Sequence, residues 1–356
     1  MQLQTAFNNK KVLITGHTGF KGSWLGYSLK FLNAKVFGIS LNVPTSPSHY
    51  NLDKSIYTED LRIDIRNLDE LKDAIKRISP NFIFHLAAQP IVLDSYTNPI
   101  DTFKTNSIGT LNIFEAIRSM DNNCSSVIIT SDKCYENVEK TSGYIESDRL
   151  GGKDPYSASK GCAELIFHSY YHSFFSNDLS KYRIATARAG NVIGGGDWAN
   201  NRLVPDCMRS WSRNEDVVIR SPESTRPWQH VLEPISGYLK LATLLNLDEN
   251  IIGESFNFGP SENLNKTVKD LVDKLKKPWQ ESSYKIEQID KVNEANLLQL
   301  NCEKAHSKLN WSQELTFDQT AEWTSDWYYK FYNSSKVDAF KLTQKQISYY
   351  FNNSND

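Results

Sequence analysis

The sequence has little charge imbalance and no long apolar run. Its 356 residues include 40 lysines and arginines against 42 aspartates and glutamates, a formal net charge of −2. Nucleic-acid-binding proteins usually carry a clustered basic excess, so this balance predicts no nucleic-acid partner. No stretch of about 18 apolar residues is present, and MQLQTAFNNKK at the start lacks an apolar signal core. We therefore predict no membrane span and a cytoplasmic location.

Cysteine and histidine are also scarce. The five cysteines form no CxxC pair, which favours reduced thiols over a disulfide framework. His168 and His172 are four residues apart on a predicted helix, but they lack the glutamate of an HExxH motif and a third ligand. The sequence therefore predicts no metal site.

Short apolar runs alternate with helical patterns through the first half of the chain. Continuous runs are typical of strands buried on both faces, so they predict a parallel sheet with helices on both sides. The predicted strands lie at 12–15, 36–39, 61–65, 82–87, 127–131 and 184–187. Apolar residues at three- and four-residue spacing predict helices at 67–78, 99–117 and 155–174. A further helix is predicted at 267–275, and the aromatic-rich stretch 317–331 is predicted to be structured.

The alternation ends after Arg188, where the chain becomes rich in loops. We predict an α/β fold with a Rossmann-like, doubly wound parallel sheet in residues 1–188, joined by a return segment around 226–250. Residues 189–356 would mainly form a smaller α/β domain for the substrate.

A glycine-rich turn follows the first strand. In GHTGFKG, Gly16, Gly19 and Gly22 stand between the strand KVLIT and a helical pattern. Glycines are needed where the turn is tight and where backbone approaches a pyrophosphate, and the helix N-terminus then offers N–H groups to the phosphates. The turn, with Thr18 and Phe20 inside it, therefore predicts dinucleotide binding.

Further cofactor contacts are expected after later strands. The candidates are Asp64, Ile65, Leu86, Ala87 and Ala88. The alternative role of Asp64 is to cap the following helix. After the second strand, Ser40-Leu41-Asn42 offers neither an acid for a ribose 2′-hydroxyl nor an arginine for a 2′-phosphate. These residues leave the choice between NAD and NADP open.

The segment DPYSASKGCAEL, residues 154–165, carries the candidate general base. Asp154 is a good N-cap and Pro155 a good first helical residue. Tyr156 and Lys160 then lie one turn apart on the same face, where the ammonium is expected to lower the pKa of the phenol. The alternative is an ordinary amphipathic helix with both side chains on its wet side.

Polar residues also follow the fifth strand. Ligands of open α/β sheets bind beyond the carboxyl ends of the strands, so Ser131, Asp132 and Lys133 are expected to face the crevice. The alternative is a simple turn from strand to loop, where serine and aspartate are common.

Together these motifs resemble the extended short-chain dehydrogenase/reductases, a group of nucleotide-sugar epimerases and dehydratases. The resemblance rests on GxxGxxG at 16–22, LAAQ at 86–89, TSD at 130–132, YxxxK at 156–160 and RAGNVIGGGD from Arg188. It implies a nicotinamide cofactor that takes the hydride. It also implies that Ser131 holds the sugar hydroxyl, Tyr156 removes its proton, and Lys160 holds the nicotinamide ribose and tunes Tyr156.

Other segments are similar to a 4,6-dehydratase branch whose substrate is CDP-glucose. They are GHTGFKGSWL, PTSPSH, TSDKCYEN, NRLVPD and RPWQHVLEP. Asp132 matches the acid of dehydratases, which simple epimerases usually lack. Related dehydratases follow that acid with a glutamate, whereas this chain has Lys133, which is either the base for the C5 proton or a group that orients water or Asp132.

The resemblance also implies the substrate contacts and the assembly. The candidate substrate residues are Gln89, Asn191, Arg202, Arg226 and Asn257. The alternative for Arg202 is a solvated surface position, and the alternative for Asn257 is a turn at the end of a strand. A homodimer would form through helices 99–117 and 155–174, and the pathway would be deoxysugar biosynthesis of the O-antigen type. A hydride that is stored and then returned mildly favours NAD. The alternatives are another nucleotide-sugar dehydratase, a 4-epimerase, or a non-catalytic dinucleotide-binding protein.

Overall fold

A seven-stranded parallel sheet forms the centre of the protein. The computed structural model describes residues 2–260, 266–279, 282–287 and 297–353. The sheet strands are β1 (Lys11–Thr15), β2 (Lys35–Ser40), β3 (Tyr57–Arg62), β4 (Phe82–His85), β5 (Cys124–Ile129), β6 (Tyr182–Ala189) and β11 (Ser255–Phe258). Their order is β11-β6-β5-β4-β1-β2-β3, and every neighbouring pair is parallel. The predicted α/β fold with a Rossmann-like sheet is confirmed.

Two strands of the sheet differ most from the sequence-based prediction. The third strand begins and ends earlier than the predicted 61–65, because β3 is an edge strand in which buried and more exposed residues alternate. Such a strand has no continuous apolar run to mark it. The short β11 was not predicted, and it returns from the second half of the chain to pair with β6.

The described helices lie in chain order around this sheet. They are α1 (Gln2–Phe7), α2 (Phe20–Phe31), α3 (Leu68–Ile78), α4 (Val92–Thr97), α5 (Pro99–Phe103), α6 (Gly109–Arg118), α7 (Pro155–Ser173), α8 (Leu203–Trp211), α9 (Leu232–Leu244), α10 (Val268–Leu275), α11 (Glu303–Leu309), α12 (Phe317–Asn333) and α13 (Lys336–Asn353). One hydrophobic core includes α2 and α9, and a second includes α3, α6 and α7.

The predicted helix 99–117 is interrupted. Residues Lys104–Ile108 form one π-helical turn between α5 and α6. Single π-turns of this kind are frequent at functional sites. This one lies beside the sheet edge described in the next subsection.

A third core lies in the C-terminal half. It includes residues of α8, α10 and α12, and of the short strand β8 (Val217–Ile219). The remaining short strands are β7 (Val192–Ile193), β9 (Thr225–Arg226), β10 (Gln229–His230), β12 (Lys266–Thr267) and β13 (Tyr284–Ile286). The division into two domains stays a prediction. Within the described ranges, no helix combines the length and apolarity that crossing a membrane requires.

Candidate active site

The glycine turn between β1 and α2 depends on the absence of side chains. Gly16 has a φ of +78°, and a Cβ built there would lie 2.7 Å from the backbone nitrogen of Ala87. A Cβ on Gly22 would overlap the Gly16 carbonyl oxygen. The turn therefore packs against both β4 and its own helix so closely that only glycine fits at these two positions.

The first turn of α2 has no side-chain cap. Its N-cap is Gly19, whose backbone is extended, and Phe20 is the first helical residue. The Thr18 hydroxyl turns away from this end and donates to the Asn42 carbonyl oxygen at 2.6 Å. N–H groups at the start of a helix of 12 residues are left for an anion such as a pyrophosphate.

A polar cluster extends from this turn to the ends of β2 and β3. Ser40 Oγ lies 2.9 Å from His17 Nδ1, and His17 Nε2 lies 2.7 Å from Asp60 Oδ1. Arg62 is in register with Ser40, and its guanidinium binds Asp60 and the Tyr50 hydroxyl. Sequence reasoning missed Asp60 and Arg62, because only the register of the strands brings them to the end of β2.

Asp64 and Ile65 are engaged by the protein itself. Arg66 pairs with Asp64 at 2.7 Å from Nη2 to Oδ2. The Ile65 side chain is buried against Gly109, where an added Cβ would lie 2.5 Å from Ile65 Cδ1. Contact of these two residues with a cofactor stays a prediction, and for Ile65 it would involve the backbone.

Asn106, in the π-helical turn, binds the backbone of the LAAQ segment, which follows β4. Leu86 N–H continues the sheet by donating to Thr15 O at 3.0 Å, and Ala87 and Ala88 follow. Asn106 accepts from Gln89 N–H at 2.8 Å and donates to Gln89 O at 3.1 Å. Sequence reasoning missed Asn106. The π-turn, which could have indicated it, is visible only in the structure.

The Gln89 side chain makes hydrogen bonds to nearby residues of the protein. Its amide donates to the Ile91 carbonyl oxygen at 2.9 Å and to the Thr102 hydroxyl at 3.1 Å. This bonding shapes the loop after β4. The predicted contact between Gln89 and the substrate would have to compete with it.

The helix that carries the candidate base begins as predicted. Asp154 Oδ1 accepts from Ser157 N–H at 2.9 Å, and Pro155 is the first residue of α7. Tyr156 is 8% exposed and Lys160 is 7% exposed. The alternative that both lie on a wet helix face is therefore wrong.

The pKa of Tyr156 differs from the expectation. Burial raises it to about 12, against a hydrogen bond with Ser131 that favours the phenolate. Asp132 raises it further and the Arg202 charge lowers it. The net shift is opposite to the predicted lowering, because loss of water around the phenolate outweighs the nearby positive charge.

Ser131 and Asp132 begin a tight turn directly after β5. Ser131 Oγ donates to Asp132 Oδ1 at 2.9 Å and accepts from Lys133 N–H at 3.2 Å. Burial raises the pKa of Asp132, and the charge of Lys133 opposes that rise. A Cβ on Gly190 would lie 3.4 Å from Asp132 Oδ2, so the end of β6 closes over the carboxylate.

A buried lysine, Lys160, and a half-buried lysine, Lys21, lie in the same crevice. Burial lowers the pKa of Lys160 to about 8, while Cys134 and Glu164 oppose this. Burial also lowers the pKa of Lys21 to about 8, and the charges of Lys160 and Arg202 lower it further. Lys21 Nζ donates to the Tyr238 hydroxyl at 3.3 Å. The sequence showed Lys21 only as a neighbour of the glycine turn.

The candidate residues for the nucleotide end of the substrate lie on different elements of the structure. Arg202 pairs with Asp197 at 2.9 Å and is near enough to Tyr156 to lower its pKa. Asn191 is half-buried between β6 and β7, and Arg226 lies in β9.

The expected contact between Asn257 and the substrate stays a prediction. The residue is 0% exposed, and its Oδ1 accepts from the Tyr135 hydroxyl at 2.8 Å. Its Nδ2 donates to the carbonyl oxygens of Tyr144 and Asn301. Because its amide is bonded on all sides within the protein, Asn257 supports the fold, and contact with a substrate would have to compete with these bonds.

The sequence is similar to known proteins along most of its length. The family model described as GDP-mannose 4,6 dehydratase matches residues 13–324. The chain is 42% identical over 330 residues to the CDP-glucose 4,6-dehydratase of Salmonella typhimurium, covering 90% of this chain and 92% of that protein. It is 29% identical over 272 residues to the CDP-paratose 2-epimerase of Salmonella typhi, covering 70% and 78%.

Solved structures show the same fold. The epimerase Mth375 of Methanothermobacter thermautotrophicus superposes with a TM-score of 0.79 at 20% identity, covering 97% of this chain and 96% of that chain. The dTDP-glucose 4,6-dehydratase of Bacillus anthracis, solved in complex with NAD, superposes with a TM-score of 0.73 at 23% identity, covering 92% and 99%. The chain therefore belongs to the GDP-mannose 4,6-dehydratase family, within the extended short-chain dehydrogenase/reductases.

Proposed function

We propose that this protein is an NAD-dependent CDP-glucose 4,6-dehydratase, which converts CDP-glucose to CDP-4-keto-6-deoxyglucose and water. The observation that carries the proposal is 42% identity with such an enzyme over 90% of this chain. The structure adds a buried acid, Asp132, beside Ser131 and Tyr156, which fits an elimination. The product would enter deoxysugar biosynthesis.

The glycine turn fits NAD. Gly16 and Gly22 leave room for a pyrophosphate, and the uncapped N-terminus of α2 faces it. At the ribose end, Arg62 is neutralised by Asp60, which disfavours a 2′-phosphate and supports NAD over NADP. When bound, NAD would accept the hydride from C4 of the sugar and later return it to C6.

The groups at the end of β5 and on α7 would oxidise C4. Ser131 is proposed to hold the C4 hydroxyl, and Tyr156 to accept its proton as the hydride leaves. Because burial raises the pKa of Tyr156 to about 12, the phenol can accept this proton only where positive charge beside it, from Lys160 and from oxidised NAD when bound, lowers that pKa. Lys160, one turn along α7, is proposed to bind the nicotinamide ribose and to supply positive charge near the phenol.

The next step would be elimination across C5 and C6. The C4 ketone makes the C5 hydrogen acidic, and its removal expels the C6 hydroxyl. Asp132 is proposed to protonate that hydroxyl, so that water leaves; burial raises its pKa, which is the direction that an acid requires. Hydride return to C6 and a proton at C5 then complete the product, and the net change is the loss of one water.

A 4-epimerase is the enzyme alternative. It would oxidise and reduce C4 without needing an acid at the C6 hydroxyl. The buried Asp132 with its raised pKa is the feature that favours the dehydratase.

The test is mass spectrometry of the purified protein incubated with NAD and, separately, with CDP-, dTDP-, UDP- and GDP-sugars. We expect loss of one water from CDP-glucose alone. Loss of water from a different nucleotide sugar would correct the substrate. An isomer at unchanged mass would identify an epimerase and contradict the proposed role of Asp132.

Lys133 is proposed as the base that removes the C5 proton. In deuterium oxide, the wild-type product should carry deuterium at C5. We expect Lys133→Met to slow product formation by about 100-fold while reduced cofactor accumulates, because oxidation at C4 precedes this step. Lys153→Met, at an exposed lysine nearby in the chain, is the matched control. Product formation at the wild-type rate in Lys133→Met would assign the base to water or another group.

The protein is proposed to act as a homodimer that pairs through α5, α6 and α7. Leu165 on α7 is 59% exposed, and Ile100 and Ile108 are also exposed on the neighbouring segment. We expect Leu165→Glu to give a monomer in light scattering, because a charge would replace an apolar contact. Leu247→Glu, at a leucine that is 67% exposed after α9, should leave the dimer intact. A wild-type monomer would contradict the proposal.

A further inference from the structure

A buried ion pair lies directly behind the proposed catalytic groups. Glu164 on α7 and Arg188 on β6 approach to 2.7 Å, and their side chains are 1% and 4% exposed. The proposed mechanism uses neither residue. Buried ion pairs contribute little net stability, because burying the charges costs about as much as their attraction gains.

Glu164 connects the two segments that carry the proposed catalytic groups. Its Oε1 accepts from the Thr130 hydroxyl at 2.5 Å, and Thr130 directly precedes Ser131. Glu164 also lies one turn after Lys160 and two turns after Tyr156 on α7. One carboxylate thus ties the end of β5 to the helix of the general base.

Arg188 binds the far end of the turn that follows β5. Its Nη1 donates to the Tyr135 hydroxyl at 2.7 Å and to the Glu146 carbonyl oxygen at 2.9 Å. Its guanidinium carbon lies 4.9 Å from the centre of the Tyr135 ring. Tyr135 follows the turn that begins at Asp132, and Glu146 lies in the connection to α7.

We propose that Glu164 and Arg188 are positioning residues, which hold Ser131 and Asp132 in register with Tyr156 through Thr130 and Tyr135. This inference rests on the proposed dehydratase function. Catalytic groups need to be held within about 0.5 Å of their working geometry, and groups on separate elements need a link to achieve that. The ion pair is the link between β5, β6 and α7.

Two threonines provide a matched test. Thr130 and Thr186 each donate one hydrogen bond to Glu164, the latter at 3.0 Å to Oε2. Only Thr130 adjoins residues 131–135, the turn after β5 that carries Ser131 and Asp132 and is called the catalytic turn below. We expect Thr130→Val to lower kcat about tenfold with KM for CDP-glucose within about twofold of wild type. Thr186→Val should change both by less than about twofold. Equal losses of kcat in the two variants would show a merely structural role and overturn the proposal.

A second measurement needs no substrate. The catalytic turn is held by hydrogen bonds from Lys133 N–H to Ser131 Oγ at 3.2 Å and from Cys134 N–H to Ser131 O at 3.2 Å. We expect amide hydrogen exchange of 131–135 to be about fivefold faster in Thr130→Val, and unchanged in Thr186→Val. Unchanged exchange in Thr130→Val would overturn the positioning role.

The two proposals fail in different ways. Wild-type protein that releases no water from CDP-glucose, with exchange accelerated only in Thr130→Val, would contradict the dehydratase function and support the positioning role. If wild-type protein releases water from CDP-glucose, but Thr130→Val equals Thr186→Val in kcat and in amide hydrogen exchange, the dehydratase function is supported and the positioning role is overturned.

The ion pair itself can be removed as a unit. Glu164→Leu alone leaves Arg188 buried without its carboxylate and is expected to lower the melting temperature strongly. Adding Arg188→Met removes the unpaired charge, so the melting temperature should recover. We expect kcat of the double variant to stay at or below that of Thr130→Val, because Thr130 has lost its bond to Glu164 and Tyr135 has lost its bond to Arg188. A double variant with wild-type kcat would overturn the proposal.

Discussion

Tyr156→Phe is expected to lower the rate of CDP-glucose dehydration by roughly 1,000-fold while the protein folds and binds NAD nearly as before. The phenol is the proposed acceptor of the C4 hydroxyl proton, and general-base catalysis contributes about this factor. Tyr156 makes its contact through the hydroxyl, and the phenylalanine ring preserves the packing in its buried site. Product formation by mass spectrometry, together with NAD binding and the melting temperature, checks this prediction.

The same helix supplies the control for this prediction. Tyr170, also on α7, donates to Glu115 at 3.0 Å, away from the crevice. Tyr170→Phe removes the same atom from the same element and should retain turnover. Normal turnover in Tyr156→Phe would refute its assignment as the base. Equal losses in both variants would indicate that damage to the helix, and not loss of the base, explains the effect.

Asp132→Asn is expected to separate the two halves of the reaction. An amide cannot protonate the leaving C6 hydroxyl, so elimination should slow by about 100-fold while oxidation at C4 continues. Reduced cofactor should then accumulate, which its ultraviolet absorbance shows in a rapid-mixing experiment. The raised pKa of Asp132 is the structural reason to expect an acid at this position.

Asp148→Asn is the matched control for Asp132→Asn. Asp148 lies in the connection between the catalytic turn and α7, where it pairs with Lys140 at 2.7 Å. Its replacement should leave turnover unchanged. If Asp132→Asn lost oxidation and elimination together, with no reduced cofactor, the proposed acid role would lose its support.

The elements that position the site could be predicted because their causes are local. The glycine turn was visible in Gly16 and Gly22, where close backbone contacts leave no room for a Cβ. The start of α7 was visible in Asp154, which caps the helix through Ser157 N–H. Each depends on residues that are near neighbours in the sequence, so each leaves a readable pattern.

Other features could not be predicted because their causes are distant in sequence. Lys21 reaches the crevice only when α2 packs beside Tyr238, which is 217 residues away. Asn257 follows a strand-end pattern like that of a ligand-binding residue, yet it is sealed in by Tyr135 and Tyr144. The residue type was visible in both cases, but the partners were not.

The sequence by itself determined the parallel sheet, the dinucleotide turn, the order of Ser131, Asp132, Tyr156 and Lys160, and the superfamily, because periodicity, capping and glycine placement act over a few residues. Only the tertiary structure decided the electrostatics and the support of the site. The pKa of Tyr156 is raised because burial removes water from the phenolate, a consequence of packing that spacing cannot reveal. The pairing of Glu164 with Arg188 was decided in the same way, since adjacent packing of α7 and β6 brings the two charges together.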